Sequence, residues 1–211
     1  MFLTNRGKSM KEHDYDRMLR IQTGGIKELQ NQTSHYHRYE ATPYSALHAL
    51  FEEYSFHTSD CFVDFGCGKG RFPFYVHHFL KASATGVEMN GQLYQEAMEN
   101  LSNYLTKAKI SSAALSFECS LAEEYKISQM ENKFYFFNPF SLAIFRKVMN
   151  NILLSVERQP RRVDIILYYP TLEYLHFLEN ETPFQFLQEV RAPVLYERDT
   201  NERFMIYRFE M

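Results

Sequence analysis

Short apolar segments alternate with amphipathic segments along most of the chain. The short segments are rich in β-prone residues and are bounded by polar residues or glycine, which is typical of strands buried in a sheet. We predict strands at residues 61–65, 84–88, 113–117, 133–137, 163–170, 184–190 and 203–209. Between most of them, apolar residues recur at three- and four-residue spacing, which predicts helices. This alternation predicts a doubly wound α/β domain.

The first part of the chain is less regular. One short amphipathic helix is predicted around residues 15–19, ended by Gly24 and Gly25. A second helix is predicted ahead of the first strand. We therefore divide the chain into an N-terminal helical extension, residues 1–55, and one compact domain, residues 56–211.

A glycine-rich motif follows the first strand. Residues 64–70 have the pattern Asp-x-Gly-x-Gly-x-Gly. Glycines at alternate positions let the backbone turn sharply and approach a ligand closely. A dinucleotide fingerprint is Gly-x-Gly-x-x-Gly, so the third glycine comes one residue too early for that cofactor. The carboxylate of Asp64 would repel a diphosphate, but it suits a cofactor that carries ammonium and sulfonium charge.

A second acid, Glu88, ends the second strand. It follows the glycines by about 20 residues, which is the spacing expected of an acid that binds ribose. A carboxylate at that point accepts hydrogen bonds from both ribose hydroxyls. The alternative is an exposed charge that only happens to end a strand.

The segment from Asp64 to Gly70 resembles motif I of the class I S-adenosylmethionine (SAM)-dependent methyltransferases, and the resemblance covers roughly residues 60–190. It implies a mostly parallel seven-stranded sheet in the order 3-2-1-4-5-7-6, with the last strand antiparallel and helices on both faces. It implies SAM as the cofactor and an N-terminal extension that serves as a lid. The implied cofactor-binding residues are Asp64, Gly66, Cys67, Gly68, Gly70, Glu88, Ser120 and Leu121.

The adenine contact departs from the family pattern. Class I methyltransferases often carry an acid after the third strand, where it meets the adenine amino group. Here that strand is followed by Ser120 and Leu121 with no aspartate at the usual place. The candidates for holding adenine are therefore backbone groups, the Ser120 hydroxyl and packing against Leu121.

Asn138-Pro139-Phe140 follows the fourth strand. It resembles the Asn-Pro-Pro-Phe/Tyr motif of amino-group methyltransferases that act on nucleic-acid bases and glutamine. In that motif the asparagine oxygen accepts a hydrogen bond from the target amino group, and the aromatic ring stacks on it. This chain has one proline instead of two. We carry over Asn138 as an acceptor for a nucleophilic N–H and Phe140 as a packing partner; the alternative is that Asn-Pro only ends a strand.

Residues ahead of the first strand supply further candidates. His35, Tyr36, His37 and Tyr39 are candidates to line a substrate lid, and a solvated linker is the alternative. Glu40 and Tyr44 are candidates to close over the glycine motif, by the geometry of the resembled family.

Composition indicates the cellular compartment of the protein but does not identify the methyl acceptor. The net charge of −3 gives no long-range attraction for polyanions. The three cysteines have no Cys-x-x-Cys spacing, which favours a reducing cytosol and argues against disulfides or a thiolate metal site. No apolar run approaches the ~20 residues of a membrane span. We expect a cytoplasmic protein with no metal and no membrane partner.

The sequence predicts a SAM-dependent methyltransferase with an unidentified acceptor: a small molecule, a protein or a nucleic-acid base. An amino nitrogen is the candidate methylated atom. One rival is a SAM-binding module without transferase activity, with a regulatory role. A nicotinamide-dependent oxidoreductase is a second rival, which the glycine spacing disfavours.

Overall fold

The structure is a computed structural model that describes residues 10–25, 39–108 and 114–210. Three of the candidate lid residues, His35, Tyr36 and His37, lie outside the described residues. The predicted start of the third strand, Ala113, lies outside them as well.

Seven strands form one sheet in the order β3-β2-β1-β4-β5-β7-β6, as predicted. The first five strands run parallel, and β7 runs antiparallel to both β5 and β6. This confirms the predicted α/β fold with a mostly parallel sheet. The strands are β1 (Cys61–Phe65), β2 (Ser83–Glu88), β3 (Leu115–Cys119), β4 (Lys133–Phe137), β5 (Val163–Tyr168), β6 (Gln185–Arg191) and β7 (Arg203–Phe209).

Helices cover both faces of the sheet. They are α1 (Glu12–Leu19), α2 (Tyr44–Glu53), α3 (Arg71–Tyr75), α4 (Gly91–Ala108), α5 (Leu142–Arg158) and α6 (Leu172–Glu181). Helix α3 continues as a π-helical turn, Val76–Leu80, and a short 3₁₀ turn, Ala122–Glu124, follows β3. No helix within the described ranges combines the length and the apolar character needed to cross a membrane.

Alternate residues of the central strands point to two separate cores. Tyr135 of β4 belongs to the core formed with helices α1 to α4, whereas Phe134 and Phe136 belong to the core formed with α5 and α6. In β1, Phe62 faces the first core and is followed two residues later by Asp64. Because strand side chains alternate with a period of two, Asp64 faces the same layer as Phe62.

Helix α1 ends before Gly24 and Gly25, the residues predicted to end it. It stops at Leu19 because Arg20 adopts a left-handed conformation with φ 57°, and the N–H of Ile21 returns to the carbonyl of Asp16. The Asp16 carboxylate then accepts hydrogen bonds from the backbone N–H and the hydroxyl of Thr23. Gly24 and Gly25 therefore follow a turn that the hydrogen bonds of Asp16 stabilise.

A buried ion cluster lies at the amino ends of β4 and β5. The Nζ of Lys133 is 2.9 Å from Asp164 and 3.3 Å from Asp60, and Asp164 is fully buried. Asp164 also accepts hydrogen bonds from Arg208 and from the Tyr54 hydroxyl. Burial would raise the pKa of Asp164, but the hydrogen bond from Arg208 and the charge of Lys133 outweigh it and hold that pKa below its ordinary value.

We expect Asp164→Asn to lower the free energy of unfolding by roughly 3 kcal/mol at neutral pH, because it leaves buried cations uncompensated. A lowered carboxyl pKa stabilises the fold above the unfolded-state value of about 3.9, and that stabilisation is lost as the pH falls through the folded-state value. The difference between the two proteins should therefore shrink under acid conditions. Denaturant unfolding at several pH values measures both effects.

The matched control is Glu189→Gln, which removes partly exposed ion pairs with Arg191 and Arg203. We expect it to change the free energy of unfolding by less than about 1 kcal/mol. An Asp164→Asn protein as stable as the control at neutral pH would contradict a stabilising role for the cluster.

Candidate functional site

The glycine motif forms a tight loop between β1 and α3. Its three glycines all have positive φ, at 80°, 55° and 89°. A Cβ on Gly66 would lie 2.5 Å from the Cβ of Pro139, and a Cβ on Gly68 would lie 2.0 Å from the ring of Tyr39. Both positions therefore require glycine, for the backbone conformation and for the close approach of a neighbour. Gly70 is the N-cap of α3.

Asp64 is a buried carboxylate beside this loop. It is only 5% exposed and lines a narrow cavity together with Gly66, Cys67 and Tyr135. No hydrogen bond from a described residue reaches its carboxylate. Burial, and in second place the charge of Glu88, raise the pKa of Asp64 well above its ordinary value. A cation placed against Asp64 would relieve this penalty.

Glu88 connects the end of β2 to the glycine loop. One carboxylate oxygen accepts the N–H of Gly68 at 2.9 Å, and the other accepts the N–H of Asn90 at 2.8 Å. Burial raises the pKa of Glu88, and the hydrogen bonds from backbone N–H groups oppose that rise. Glu88 is 7% exposed, so it is a buried part of the site and not a charge in solvent. Each oxygen keeps a lone pair that a ligand hydroxyl can use.

Ser120 and Leu121 lie at the same edge of the sheet. Strand β3 pairs with β2 so that Cys119 is opposite Glu88, and Ser120 follows directly. The Ser120 hydroxyl is buried and has no hydrogen-bond partner in the part of the chain that the structure describes. Leu121 is partly buried and is the N-cap of the 3₁₀ turn. A polar atom and an apolar surface are therefore both present next to Glu88.

Asn138 and Phe140 separate in the structure. Asn138 lies just beyond β4 with φ 40°, a left-handed conformation that asparagine tolerates better than most residues, and the next residue, Pro139, packs on Gly66. Phe140 is 1% exposed and lies in the core with its ring edge-on to Phe136. Its carbonyl accepts the hydroxyl of Tyr174. Asn138 is therefore partly buried at the end of β4, and Phe140 lies in the core; a role of either residue toward an acceptor stays a prediction.

Two site residues, Thr42 and Tyr135, carry no motif in the sequence. They join the two sides of the cavity through a hydrogen bond of 2.6 Å between their hydroxyls. The one signal for them is the Tyr135 hydroxyl, in a strand that is otherwise apolar after its first residue.

Three candidates named ahead of the first strand lie close to the glycine loop. Glu40 and Tyr39 line the same cavity as Asp64, and Tyr44 packs below the guanidinium of Arg71.

Arg71 fastens the N-terminal segment to the loop. Its side chain is 6% exposed, its Nε donates to the Thr23 hydroxyl at 2.7 Å, and its guanidinium donates to the Thr42 carbonyl at 3.0 Å. The same guanidinium forms an ion pair with Glu12 of α1. Because Arg71 directly follows Gly70, the end of the glycine loop and α1 are held together.

The described residues contain no cluster of three or more His, Cys, Asp or Glu side chains with the arrangement of a metal site. Beside the glycine loop lie two buried carboxylates, Asp64 and Glu88, and the buried thiol of Cys67, while Glu40 and Arg71 also line the cavity at Asp64. Burial, followed by the charges of Asp64 and Glu88, raises the pKa of Cys67. A neutral thiol and two carboxylates make a site that attracts cations.

No protein-family model matches the chain, and no curated protein matches its sequence. Solved structures do match its fold. A proposed RNA methyltransferase from Pyrococcus horikoshii superimposes with a TM-score of 0.56 at 18% identity, over 92% of this chain and 97% of that one. The chain has the class I methyltransferase fold.

Two further structures support this assignment of the fold. An RNA methyltransferase from Salinibacter ruber, in complex with S-adenosyl-L-homocysteine, matches with a TM-score of 0.51 at 15% identity, over 78% of this chain and 88% of that one. Precorrin-6y C5,15-methyltransferase from Geobacter metallireducens matches with a TM-score of 0.52 at 14% identity, over 79% and 86%. In the class I methyltransferase fold, ligands bind at the carboxyl ends of the parallel strands, where Asp64 and Glu88 lie.

We expect Asp64→Asn to raise the free energy of unfolding of the ligand-free protein by about 1–3 kcal/mol, because it removes a buried carboxylate without donors. A raised carboxyl pKa leaves stability intact below the ordinary value of about 3.9 and reduces it as the pH rises through the raised value. The gain from Asp64→Asn should therefore be larger at pH 8 than at pH 5. Thermal unfolding at both pH values measures it.

Glu118→Gln is the matched control, since it neutralises an exposed acid on the neighbouring edge strand β3. We expect that change to stay within about 0.5 kcal/mol. An Asp64→Asn protein less stable than the wild type at both pH values would show that the carboxylate is satisfied in the fold.

Proposed function

We propose that the protein is a SAM-dependent methyltransferase. The observation that carries this proposal is the buried Asp64 carboxylate, which has no hydrogen-bond donor among the described residues and lies beside a loop that only glycine can form. A nicotinamide dinucleotide would bring a diphosphate to this edge, where two buried carboxylates repel it. SAM brings an ammonium and a sulfonium group, which the same carboxylates attract.

Each chemical group of SAM is assigned to residues around the glycine loop. We assign the ammonium group to Asp64 and the two ribose hydroxyls to the remaining lone pairs of Glu88. The backbone of residues 66–70 lines the amino-acid end of the cofactor. The Ser120 hydroxyl and the Leu121 side chain are assigned to adenine, which explains a buried hydroxyl that has no partner within the described part of the chain.

When bound, SAM supplies an electrophilic methyl group whose sulfur leaves as a neutral thioether. The chain therefore needs no acid for the leaving group, and its residues act by alignment and by exclusion of water. The Asn138 amide oxygen is assigned to accept a hydrogen bond from the N–H of an attacking amine. The N–C bond forms as the C–S bond breaks, and the nitrogen then loses its proton to solvent.

The acceptor belongs to one of several classes. The matched structures include RNA methyltransferases and a precorrin methyltransferase, which act on a nucleic acid and on a small molecule. A nucleic-acid base, a small molecule and a protein side chain each supply an amino nitrogen. Asn138 favours this atom, and it does not distinguish between the three classes.

Calorimetric titration with SAM and, in parallel, with NAD tests the cofactor assignment. We expect one SAM per chain and no heat from NAD. We further expect Asp64→Asn to weaken SAM binding at least tenfold, because a buried charge pair loses one partner. Binding of NAD without binding of SAM would contradict the proposal.

Incubation with SAM labelled on its methyl group, together with RNA, protein and metabolite fractions, tests the transfer step. We expect label in one of the fractions. SAM binding without transfer to any fraction would indicate a binding module without transferase activity.

We expect Asn138→Ala to lower turnover by about 10- to 100-fold in the labelled fraction, while the Kd for SAM changes less than about threefold, because misplacing the nucleophile costs rate and not cofactor binding. Asn138→Gly is the control for the backbone, since glycine adopts φ 40° without strain. Equal losses in the two variants assign the effect to the missing amide. Wild-type turnover in Asn138→Gly would show that Asn138 only ends a strand.

A further inference from the structure

Tyr39 lies directly on the glycine loop. Its ring is so close to Gly68 that a Cβ there would be 2.0 Å from a ring carbon, and the residue is only 7% exposed. The cavity that remains between Tyr39 and Asp64 measures about 20 Å³. A space of that size accommodates about one water molecule. The amino-acid end of SAM does not fit between the two residues while the ring is in this position.

The ring is held by groups that belong to the site itself. The Tyr39 hydroxyl donates to the carbonyl of Thr23 at 2.7 Å. Thr23 is fully buried and is fixed by hydrogen bonds to Asp16 and from Arg71. The Nζ of Lys69 lies 5.4 Å from the centre of the ring, within range of a cation–π interaction. These contacts hold the Tyr39 ring in one position against the glycine loop.

The residues of the glycine loop that lie next to Tyr39 are held in place by other parts of the fold. Lys69 is 6% exposed and forms an ion pair of 3.0 Å with Glu96, and its carbonyl accepts the side-chain N–H of Asn100. Arg71 is equally buried. The glycine loop cannot easily retreat from the ring, so the ring is the part that moves when the space is filled.

We propose that Tyr39 occupies the subsite for the amino-acid end of the methyl donor and that donor binding displaces its ring from Gly68. This inference rests on the proposed function, because it takes Asp64 as the partner of the donor's ammonium group. Tyr39 and Asp64 line one cavity, so the ring and the ammonium group compete for the same volume. The measured donor affinity then equals the affinity of the open site reduced by the fraction of molecules that are open.

Because the Tyr39 ring competes with the donor for this volume, truncating Tyr39 should tighten donor binding. Tyr39→Phe keeps the ring and removes the hydrogen bonds of its hydroxyl, one to the Thr23 carbonyl and one with the Lys69 backbone. The net value of such a bond corresponds to a change of about two- to tenfold in the ratio of closed to open molecules. We therefore expect S-adenosylhomocysteine to bind Tyr39→Phe about two- to tenfold more tightly than it binds the wild type, and to bind Tyr39→Ala more tightly still.

Tyr104→Phe is the matched control. Its hydroxyl is also buried and is hydrogen-bonded to His77 at 2.8 Å, but it does not line the cavity. We expect its affinity for S-adenosylhomocysteine to equal that of the wild type. A second probe, 5′-methylthioadenosine, has the nucleoside of the donor without its amino-acid end. We expect both Tyr39 variants to bind this probe as the wild type does, because it leaves the ring in place.

Isothermal titration of the four full-length proteins with both probes decides the question. Weaker binding of S-adenosylhomocysteine to both Tyr39 variants would overturn the proposal, because it would make Tyr39 a contact that holds the donor. An equal gain for both probes would overturn it as well, because the effect would not be confined to the amino-acid end. If the wild type binds S-adenosylhomocysteine and the variants match it, only the displacement of Tyr39 fails. If none of the proteins binds either probe, the proposed function fails too.

Discussion

The site depends on one unfavourable interaction, the burial of the Asp64 carboxylate at the end of a central strand. The alternation of side chains in β1 fixes its direction, since Asp64 follows Phe62 on the same face and pairs in register with Tyr135. A buried carboxylate without a donor opposes folding, and the surrounding core must offset that cost. The same property makes the place selective for a cation.

The fold contains a second buried aspartate, Asp164, whose negative charge is compensated by neighbouring side chains. Asp164, at the amino end of β5, is surrounded by Lys133, Arg208 and the Tyr54 hydroxyl, and its pKa is held low. Asp64, at the carboxyl end of β1, has no such partners among the described residues, and its pKa is raised. The charge of Asp164 is therefore compensated within the protein, whereas Asp64 has no such partner among the described residues. The proposed function assigns the missing partner of Asp64 to the ligand.

The parts of the structure that the sequence could predict are those that depend on neighbouring residues. The glycine loop, its acid and the alternation of strands and helices are local patterns, and the strand order followed from the family resemblance. The contact of Tyr39 with Gly68 was not predictable, because it joins distant parts of the chain through a shape that only the folded loop has. The burial of Phe140 against Phe136, with its carbonyl bound by Tyr174 on a later helix, likewise depends on contacts between distant parts of the chain. The residues that end α1 were not predictable, because the left-handed Arg20 and the Ile21 N–H bonded to the Asp16 carbonyl end the helix before the glycines do.

The buried guanidinium of Arg71 joins the N-terminal segment to the glycine loop of the sheet domain. Helix α2 contributes Tyr44, Leu47 and Leu50 to the same core as β1, although the sequence pattern changes near residue 55. A chain trimmed to residues 56–211 would leave the guanidinium facing a gap and would strip the cover from Asp64. A shortened protein would therefore lack Tyr39, Glu40 and Thr42, which form one side of the cavity at Asp64.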